Sequence, residues 1–438
     1  MALITQAPRG TQDVLPQSSY KWQYVEQTAL AIARDFGFHE IRTPVFEHTN
    51  LFQRSVGETT DVVQKEMYTF EDKGGRSITL RPEGTAGAAR AVLEHGLLAG
   101  ALPVKVSYVT SCYRYEKSQK GRYREFHQFG VECFGASAPQ ADAETISLAM
   151  MILSNLGIPN VALHINSIGC PSCRARYHEA LHSYFASHQE ELCGTCLSRL
   201  ERNPMRILDC KSPVCHGIAA EAPVMLDYLC EDCAAHFETV KECLDAANIA
   251  YVIDPHIVRG LDYYTRTVFE LVSDQGLVVA GGGRYDGLVS ELGGAPQPGL
   301  GFGMGIERLL MVMEEQESKF PAAPACDLYL VSMGQAAAKK CFALATALRE
   351  GGASVECDIV GRSLKAQMKY ADKLGARFTV VVGDNELETG RAQLKDMVSG
   401  ATEEVSLDED LYNVLRQKLL DRELAGMADL FGSVAEFA

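Results

Sequence analysis

Val104-Lys105-Val106-Ser107-Tyr108-Val109-Thr110-Ser111 and Glu125-Phe126-His127-Gln128-Phe129-Gly130-Val131-Glu132-Cys133-Phe134 enclose the segment Cys112-Tyr113-Arg114-Tyr115-Glu116-Lys117-Ser118-Gln119-Lys120-Gly121-Arg122-Tyr123-Arg124. The outer runs alternate with the period of two that a β-strand imposes, so the stretch predicts a hairpin. Its loop sets Arg114, Lys117, Lys120, Arg122 and Arg124 against Glu116, a local balance of +4. Two readings fit such a loop. One is a solvated charged turn; the other is a site for a polyphosphate or a nucleic-acid end, because guanidinium forks and ammonium groups bind phosphate oxygens. The returning strand favours the second, since alternation puts Phe126, Gln128, Gly130 and Glu132 on one face. An amide and a carboxylate there need solvent or a polar ligand, as burying each unpaired costs about 1–3 kcal/mol.

Three further segments carry candidate chemistry. In Gly299-Leu300-Gly301-Phe302-Gly303-Met304-Gly305-Ile306-Glu307-Arg308 glycine takes every second place, leaving one strand face bare for a ligand, such as a flat base, or for another backbone. The residues from Glu307 to Met313 are helical in composition, which sets Arg308 at a strand-to-helix junction facing the same cavity. The spacing lacks the G-x-G-x-x-G fingerprint of a dinucleotide fold. Val258-Arg259-Gly260-Leu261-Asp262-Tyr263-Tyr264-Thr265 and Gly281-Gly282-Gly283-Arg284-Tyr285-Asp286-Gly287 read equally as a plain hairpin or as part of a site. In Thr79-Leu80-Arg81-Pro82-Glu83-Gly84-Thr85, Glu83 sits beside a turn, either as an exposed acid or as the holder of a ligand ammonium group.

Around these segments the chain is organised simply. Val25, Ala29, Ile32, Ala33 and Phe36 recur at helical spacing up to Gly37, predicting one amphipathic helix. The charged, then Pro/Ala-rich run Glu314–Pro324 reads as a linker. Beyond it, Leu328–Val331, Val355–Val360 and Phe378–Val382 alternate with helix-like stretches, an α/β pattern that predicts a largely parallel sheet. Asp421–Ala438 reads as a helical tail. At roughly 150 residues per domain, 438 residues imply about two to four domains. A net charge of −16 argues against a general nucleic-acid coat but leaves local basic patches able to act. Without a long apolar run or a secretory leader, the expectation is a cytoplasmic protein that does not enter a membrane.

Eight of fourteen cysteines fall between Cys170 and Cys233, marking an inserted unit. Cys170-x-x-Cys173, Cys193-x-x-Cys196 and Cys230-x-x-Cys233 have the spacing that brings two thiolates to one tetrahedral zinc, and Cys210 with Cys215 is a looser fourth pair. The simplest arrangement is nested: Cys193, Cys196, Cys210 and Cys215 in one site, and Cys170, Cys173, Cys230 and Cys233 in the other. Reduced thiols without a ligand are the alternative, and disulfides do not suit a reducing cytosol.

Together these segments resemble the class II aminoacyl-tRNA synthetases, and within them the histidyl branch. The likeness runs from Pro8-Arg9-Gly10-Thr11 to about Leu415. The arginine hairpin is similar to motif 2 of the class and Gly299–Arg308 to motif 3, while Arg259–Tyr264 and Gly281–Gly287 look like the two segments peculiar to the branch. The resemblance implies an α+β protein with an antiparallel-sheet catalytic domain (1–168 and 251–320), a Cys-rich insertion (169–250), an α/β anticodon-binding domain (325–420) and a tail (421–438). It also implies a homodimer. The implied reaction is activation of histidine by ATP, with magnesium, and transfer of the histidyl group to the 3′ end of its tRNA. By the same resemblance, Arg114, Arg259 and Arg308 are catalytic, and Arg122 joins Arg114 and Arg308 in binding ATP. Glu83, Gly84, Thr85 and Gln128 hold the amino end of histidine, while Glu132, Tyr263 and Tyr264 hold its imidazole. Gln119 and Lys120 meet the tRNA acceptor end. In the C-terminal domain Arg362, Lys365, Lys369, Lys373 and Arg377 lie at helical steps and predict a basic stripe, either a solvated face or a contact with the anticodon stem. Lys117-Ser118 stands where the family commonly has Arg-Pro, so the loop has a point charge in place of a fork.

Two rivals remain at this level. One is a non-catalytic regulatory paralogue acting in histidine biosynthesis, which typically lacks the anticodon domain. The other is a class II synthetase of prolyl or threonyl type, against which the Arg259–Tyr264 segment speaks.

Overall fold

The structure, a computed structural model, describes residues 5–57, 60, 62–117, 119–208, 210, 212–257 and 262–434, with backbone alone at 409, 423 and 425–434. Arg259 and Ser118 lie outside the described residues. The chain forms two compact units, Met1–Pro321 and Ala322–Ala438.

The first unit is built on one sheet made of β1 (His39–Glu40), β2 (Val104–Tyr113), β3 (Glu125–Phe134), β4 (Val161–Ser167), β5 (Val252–Ile253), β6 (Thr265–Ser273), β7 (Val278–Arg284) and β8 (Gly299–Gly305). The strands stand in the order β1-β2-β3-β8-β7-β6-β4-β5, parallel at the two margins and antiparallel between them. In the hairpin β2–β3, Tyr108 faces Gly130 and Thr110 faces Gln128. Across β3–β8, Glu132 faces Gly301 and Gly130 faces Gly303.

Alternation gives each strand two different faces. Phe129, Val131 and Cys133 of β3, with Leu300, Phe302 and Met304 of β8, are buried in the main core. Over them lie the helices Pro16–Asp35, Pro139–Asn155, Glu231–Ala246 and Ile306–Glu315. The first two begin with proline, whose missing N–H is no loss at a helix start. On the opposite face the helix Thr85–Glu94 lays Ala88, Ala89 and Val92 against Val106, Tyr108 and the tyrosines 263, 264 and 285. Gln128 and Glu132 lie on this second face, where Arg114 and Arg308 also come together.

One buried ion network fastens the sheet to its helices. Arg284, 1% exposed, bonds to Asp142 and to the carbonyls of Ala136 (2.8 Å) and Ala138 (3.3 Å). Burial alone would raise the Asp142 carboxyl, but His236 and Arg284 together hold it below its usual range. Arg284→Met leaves that buried carboxylate with His236 as its one remaining cationic partner among the described residues, so urea denaturation should show a loss of about 3 kcal/mol. A loss under 1 kcal/mol would mean that the network is not structural.

The region of the cysteines has a small core of its own, formed by Tyr177, Leu181, Phe185, Leu200 and Ile207 between the helices Pro171–Ser187, Gly194–Arg202 and Pro213–Ala220. The helix Glu231–Ala246 differs, because Phe237, Val240 and Leu244 are buried in the main core with the sheet. The end of the inserted stretch is thus built into the catalytic body.

In the second unit β9 (Leu328–Ser332), β10 (Val355–Cys357), β11 (Phe378–Val382), β12 (Arg391–Asp396) and β13 (Thr402–Ser406) stand in the order β10-β9-β11-β12-β13. The first three are parallel, as the alternation predicts. The last two are antiparallel, a correction to the expected largely parallel sheet. Met397–Ala401, turning at Gly400 (φ +74°), is too short for the crossover that parallel strands need. The final helix, Glu409–Val434, runs without a break through the position where a separate tail was expected.

Candidate active site

The hairpin loop closes in a tight turn, where the backbone N–H and C=O groups of Gln119 and Arg122 bond reciprocally around Lys120-Gly121, with Gly121 at φ +72°. This turn directs Arg114 and Arg122 into a cavity of about 440 Å³, and Arg308 reaches the same wall from the start of the helix Ile306–Glu315. Each cation is aimed. Arg114 donates from Nε to the Pro82 carbonyl (2.8 Å) and lies over the Phe126 ring at 5.4 Å. Arg308 donates to the carbonyls of Gly121 (3.1 Å) and Val278 (2.7 Å). Arg122 stands 3.5 Å and Arg114 4.0 Å from Glu116, which balances part of the loop's charge. Lys117 and Lys120 point outward, and Lys120 pairs with Glu315 at 2.7 Å.

Behind the cavity lies a closed cluster of carboxylates and hydroxyls. Glu132 is fully buried. Its Oε1 accepts from Thr85 Oγ1 (2.7 Å) and Tyr108 OH (2.8 Å), and its Oε2 accepts from Tyr285 OH. Burial outweighs these three donors and pushes its carboxyl up to about 8. Glu83 is also buried, not the exposed acid of one reading. Its two oxygens accept from the N–H groups of Thr85 (2.7 Å) and Ala86 (2.9 Å) and so cap the helix Thr85–Glu94. Burial raises its carboxyl, opposed by those N–H donors. Tyr263 and Tyr264 are buried with their rings 4.7 Å apart, and Tyr263 lies 5.5 Å from Tyr285.

Gln128 joins the two regions. It lines the cavity, accepts from the Gly84 N–H at 3.3 Å, and lies where a Cβ on Gly303 would stand. The alternate glycines of β8 therefore have a different use from the open platform expected. Side chains on Gly299, Gly301 and Gly303 would run into Tyr285, Glu132 and Gln128. The floor left bare for a ligand is narrower, formed at Gly281 and Gly305.

Sequence reasoning missed Tyr108 and Tyr285 as partners of Glu132, and Glu270 on the cavity wall. A signal existed for Tyr108: it faces Gly130, and a Cβ there would strike its ring.

The expected basic stripe is shorter than five residues. The helix spans Leu364–Lys373, so Arg362 and Arg377 lie beyond its ends. Arg362 pairs with Asp358 at 2.8 Å and stacks on Tyr370 at 4.0 Å, while Arg377 pairs with Asp327 at 3.0 Å. Lys365, Lys369 and Lys373 remain as an exposed row.

The eight cysteines gather as Cys170, Cys173, Cys230, Cys233 and as Cys193, Cys196, Cys210, Cys215, the sulfurs of each group lying within 4.8 Å of one another. All are free thiols. Cys170–Cys173 and Cys193–Cys210 stand 3.6 and 3.9 Å apart, near the roughly 3.8 Å between sulfurs about 2.3 Å from a tetrahedral zinc. Each C-x-x-C pair wraps a helix start, with Cys170, Cys193 and Cys230 as the flanking residues. The N–H groups of Cys230 and Cys193 donate to Cys173 Sγ (3.0 Å) and Cys215 Sγ (3.3 Å).

Comparison with known proteins agrees with this geometry. A family model described as histidyl-tRNA synthetase matches residues 10–309, and one described as an anticodon binding domain matches residues 327–418. The histidine–tRNA ligase of Acetivibrio thermocellus is 55% identical over 410 residues, 93% of this chain and 98% of that protein. That of Clostridium perfringens is 53% identical over 416 residues, 94% and 100% of the two chains. An apo crystal structure of S. aureus histidyl-tRNA synthetase superposes with a TM-score of 0.81 at 40% identity, covering 94% of this chain and all of that one.

Proposed function

The chain belongs to the histidyl-tRNA synthetase family, and from that premise we propose how its residues perform the family's reaction. The chain is an aminoacyl-tRNA ligase that activates histidine with ATP and joins it to tRNA. A carboxylate oxygen of histidine attacks the α-phosphorus, the bond to the bridging oxygen breaks, and pyrophosphate leaves. A ribose hydroxyl of the tRNA then takes the histidyl group and AMP departs.

In this reading Arg114 and Arg259 grip the α-phosphate, Arg308 the γ-phosphate of a bent ATP, and Arg122 supports the chain of phosphates. Fixed cations stabilise the charge that builds on the phosphorus without reorganising during the step. Glu83, Gly84, Thr85 and Gln128 hold the ammonium end of histidine, while Glu132, Tyr263 and Tyr264 take the imidazole. The convergence of Arg114, Arg122 and Arg308 on one cavity, joined through Gln128 to the carboxylate–hydroxyl cluster, carries the reading. Such a cluster rejects apolar analogues because its own buried groups would be left unpaired. The oxygen donors on the cavity wall, Glu116 and Glu270, suit magnesium, which would neutralise phosphate charge.

ATP–pyrophosphate exchange with each of the twenty amino acids tests the assignment. Exchange that depends on histidine alone is expected, and exchange with another amino acid would overturn it. A non-catalytic regulatory paralogue predicts no exchange; the anticodon-domain match at residues 327–418 speaks against it.

Further parts of the proposal concern partners. Gln119, Lys120 and the row Lys365, Lys369, Lys373 contact the tRNA, since exposed lysines in a basic row are suited to phosphates. Replacing Lys369 and Lys373 by alanine should reduce the slope of log affinity against log salt by roughly one to two, and an unchanged slope removes the row from the interface. Each cysteine cluster holds one zinc as a structural staple, supported by sulfur spacing and the N–H···S bonds. The protein is a homodimer in the cytoplasm; no helix among the described residues is long and apolar enough to cross a membrane.

A further inference from the structure

Each cysteine cluster carries an arginine that reaches one shared aspartate, Asp262. Arg206 lies between Cys196 and Cys210 and bonds from Nη2 to Asp262 Oδ1 at 2.6 Å, the two side chains 13% and 30% exposed. Arg174 follows Cys173 on the helix Pro171–Ser187 and donates to the Asp262 backbone carbonyl at 3.5 Å.

The base of each arginine is fixed within its own cluster. The Arg206 carbonyl accepts from Arg199 (3.0 Å), and the next residue, Ile207, is fully buried among Cys196, Cys210 and Cys215. The Arg174 N–H donates to the Cys170 carbonyl at 2.9 Å. Asp262 is held on its other side too. Its N–H donates to the Val56 carbonyl at 3.2 Å, and its carboxylate occupies the space that a Cβ on Gly57 would need. The next residues are Tyr263 and Tyr264, packed on Tyr285, whose hydroxyl bonds to Glu132.

We propose that the two cysteine clusters position the histidine pocket, with Arg206 and Arg174 holding Asp262 and thereby the Tyr263–Tyr264 pair against Tyr285 and Glu132. Arg206, Arg174 and Asp262 are positioning residues and touch no reacting atom. The proposal rests on the zinc reading for what holds the arginines, and on the assignment of Tyr263 and Tyr264 to histidine.

Its test is Arg206→Met in the full-length protein, with Arg206→Lys, Asp262→Asn and the Arg206→Met/Asp262→Asn pair. Small displacements of positioning groups cost up to about a hundredfold, so a rise of about tenfold in the KM for histidine is expected. The KM for ATP and the zinc content by elemental analysis should stay at wild-type values. Arg206→Lys should recover part of the loss, and the double variant should lose no more than either single one. A histidine KM unchanged in both Arg206→Met and Arg174→Met would overturn the proposal. So would losses that fall equally on both substrates, the signature of a general structural role.

The supporting readings fail in distinguishable ways. Fewer than two zincs per chain, with the histidine KM still raised by Arg206→Met, would overturn the zinc reading and leave the tie standing. Tyr264→Phe with an unchanged histidine KM would overturn the pocket assignment, because that variant leaves the Arg206–Asp262 pair intact.

Discussion

Glu132→Gln should lower kcat/KM for histidine in pyrophosphate exchange by about a thousandfold while leaving the fold intact. Sites that pair buried polar groups with a substrate lose about 10⁴–10⁵ when that pairing fails completely, and glutamine keeps part of it. The side chain is fully buried, and three hydroxyls already converge on it, so glutamine keeps its shape but puts an amide donor where one of the two accepting oxygens stood. Near-normal exchange in this variant would remove Glu132 from the imidazole site.

The same variant carries a second, independent signature in pH. Burial holds the Glu132 carboxyl at about 8, above its ordinary 4.5, so between these values the folded protein keeps a proton that the unfolded chain has released. The associated stability is fully present below 4.5 and is lost as pH rises through 8. One such proton contributes at most about 1.4 kcal/mol per pH unit. Glutamine does not titrate. Melting curves at pH 5, 6.5 and 8 should therefore shift in favour of the variant as pH rises, whereas parallel curves would mean that Glu132 is ionised in the folded protein throughout.

What was legible in the sequence follows from how local each signal is. The hairpin strands could be read closely because alternation is a property of neighbours along the chain, and β3 spans Glu125–Phe134 as the pattern implies. The C-x-x-C pairs were legible for the same reason, each wrapping the first turn of one helix, while their nesting was only the simplest arrangement of pairs far apart in sequence. Long-range register was not. Tyr108 and Tyr285 meet at Glu132 only because β2, β3, β8 and β7 are neighbours in the sheet, which no local pattern specifies. The glycines of β8 illustrate the limit: their bareness was plain, but whether a ligand or a protein side chain fills the space depends on how Gln128 and Glu132 lean across from β3. The basic stripe failed at its ends, where ion pairs with Asp358 and Asp327 draw Arg362 and Arg377 away from the row.

Arg114→Gln should reduce kcat for adenylate formation by about 10²–10³, the range seen when one preorganised donor to a developing negative charge is removed, with a much smaller change in the KM for histidine. The guanidinium is built for one direction. Its Nε is committed to the Pro82 carbonyl and it lies over the Phe126 ring, so the fork is held toward the cavity before any phosphate arrives. A cation already oriented stabilises the transition state more than the ground state, which places the loss in kcat. Arg114→Lys should recover little, because an ammonium group offers neither the fork nor the planar support of the ring. Transfer of histidine from preformed adenylate to tRNA leaves the α-phosphate with AMP and builds its charge on the carbonyl oxygen of the histidyl group instead. That step, measured in a single turnover, should fall less than tenfold in the same variant. Equal losses in both steps would point to a damaged pocket, and a kcat for activation within threefold of wild type would mean that Arg114 does not meet the α-phosphate at all.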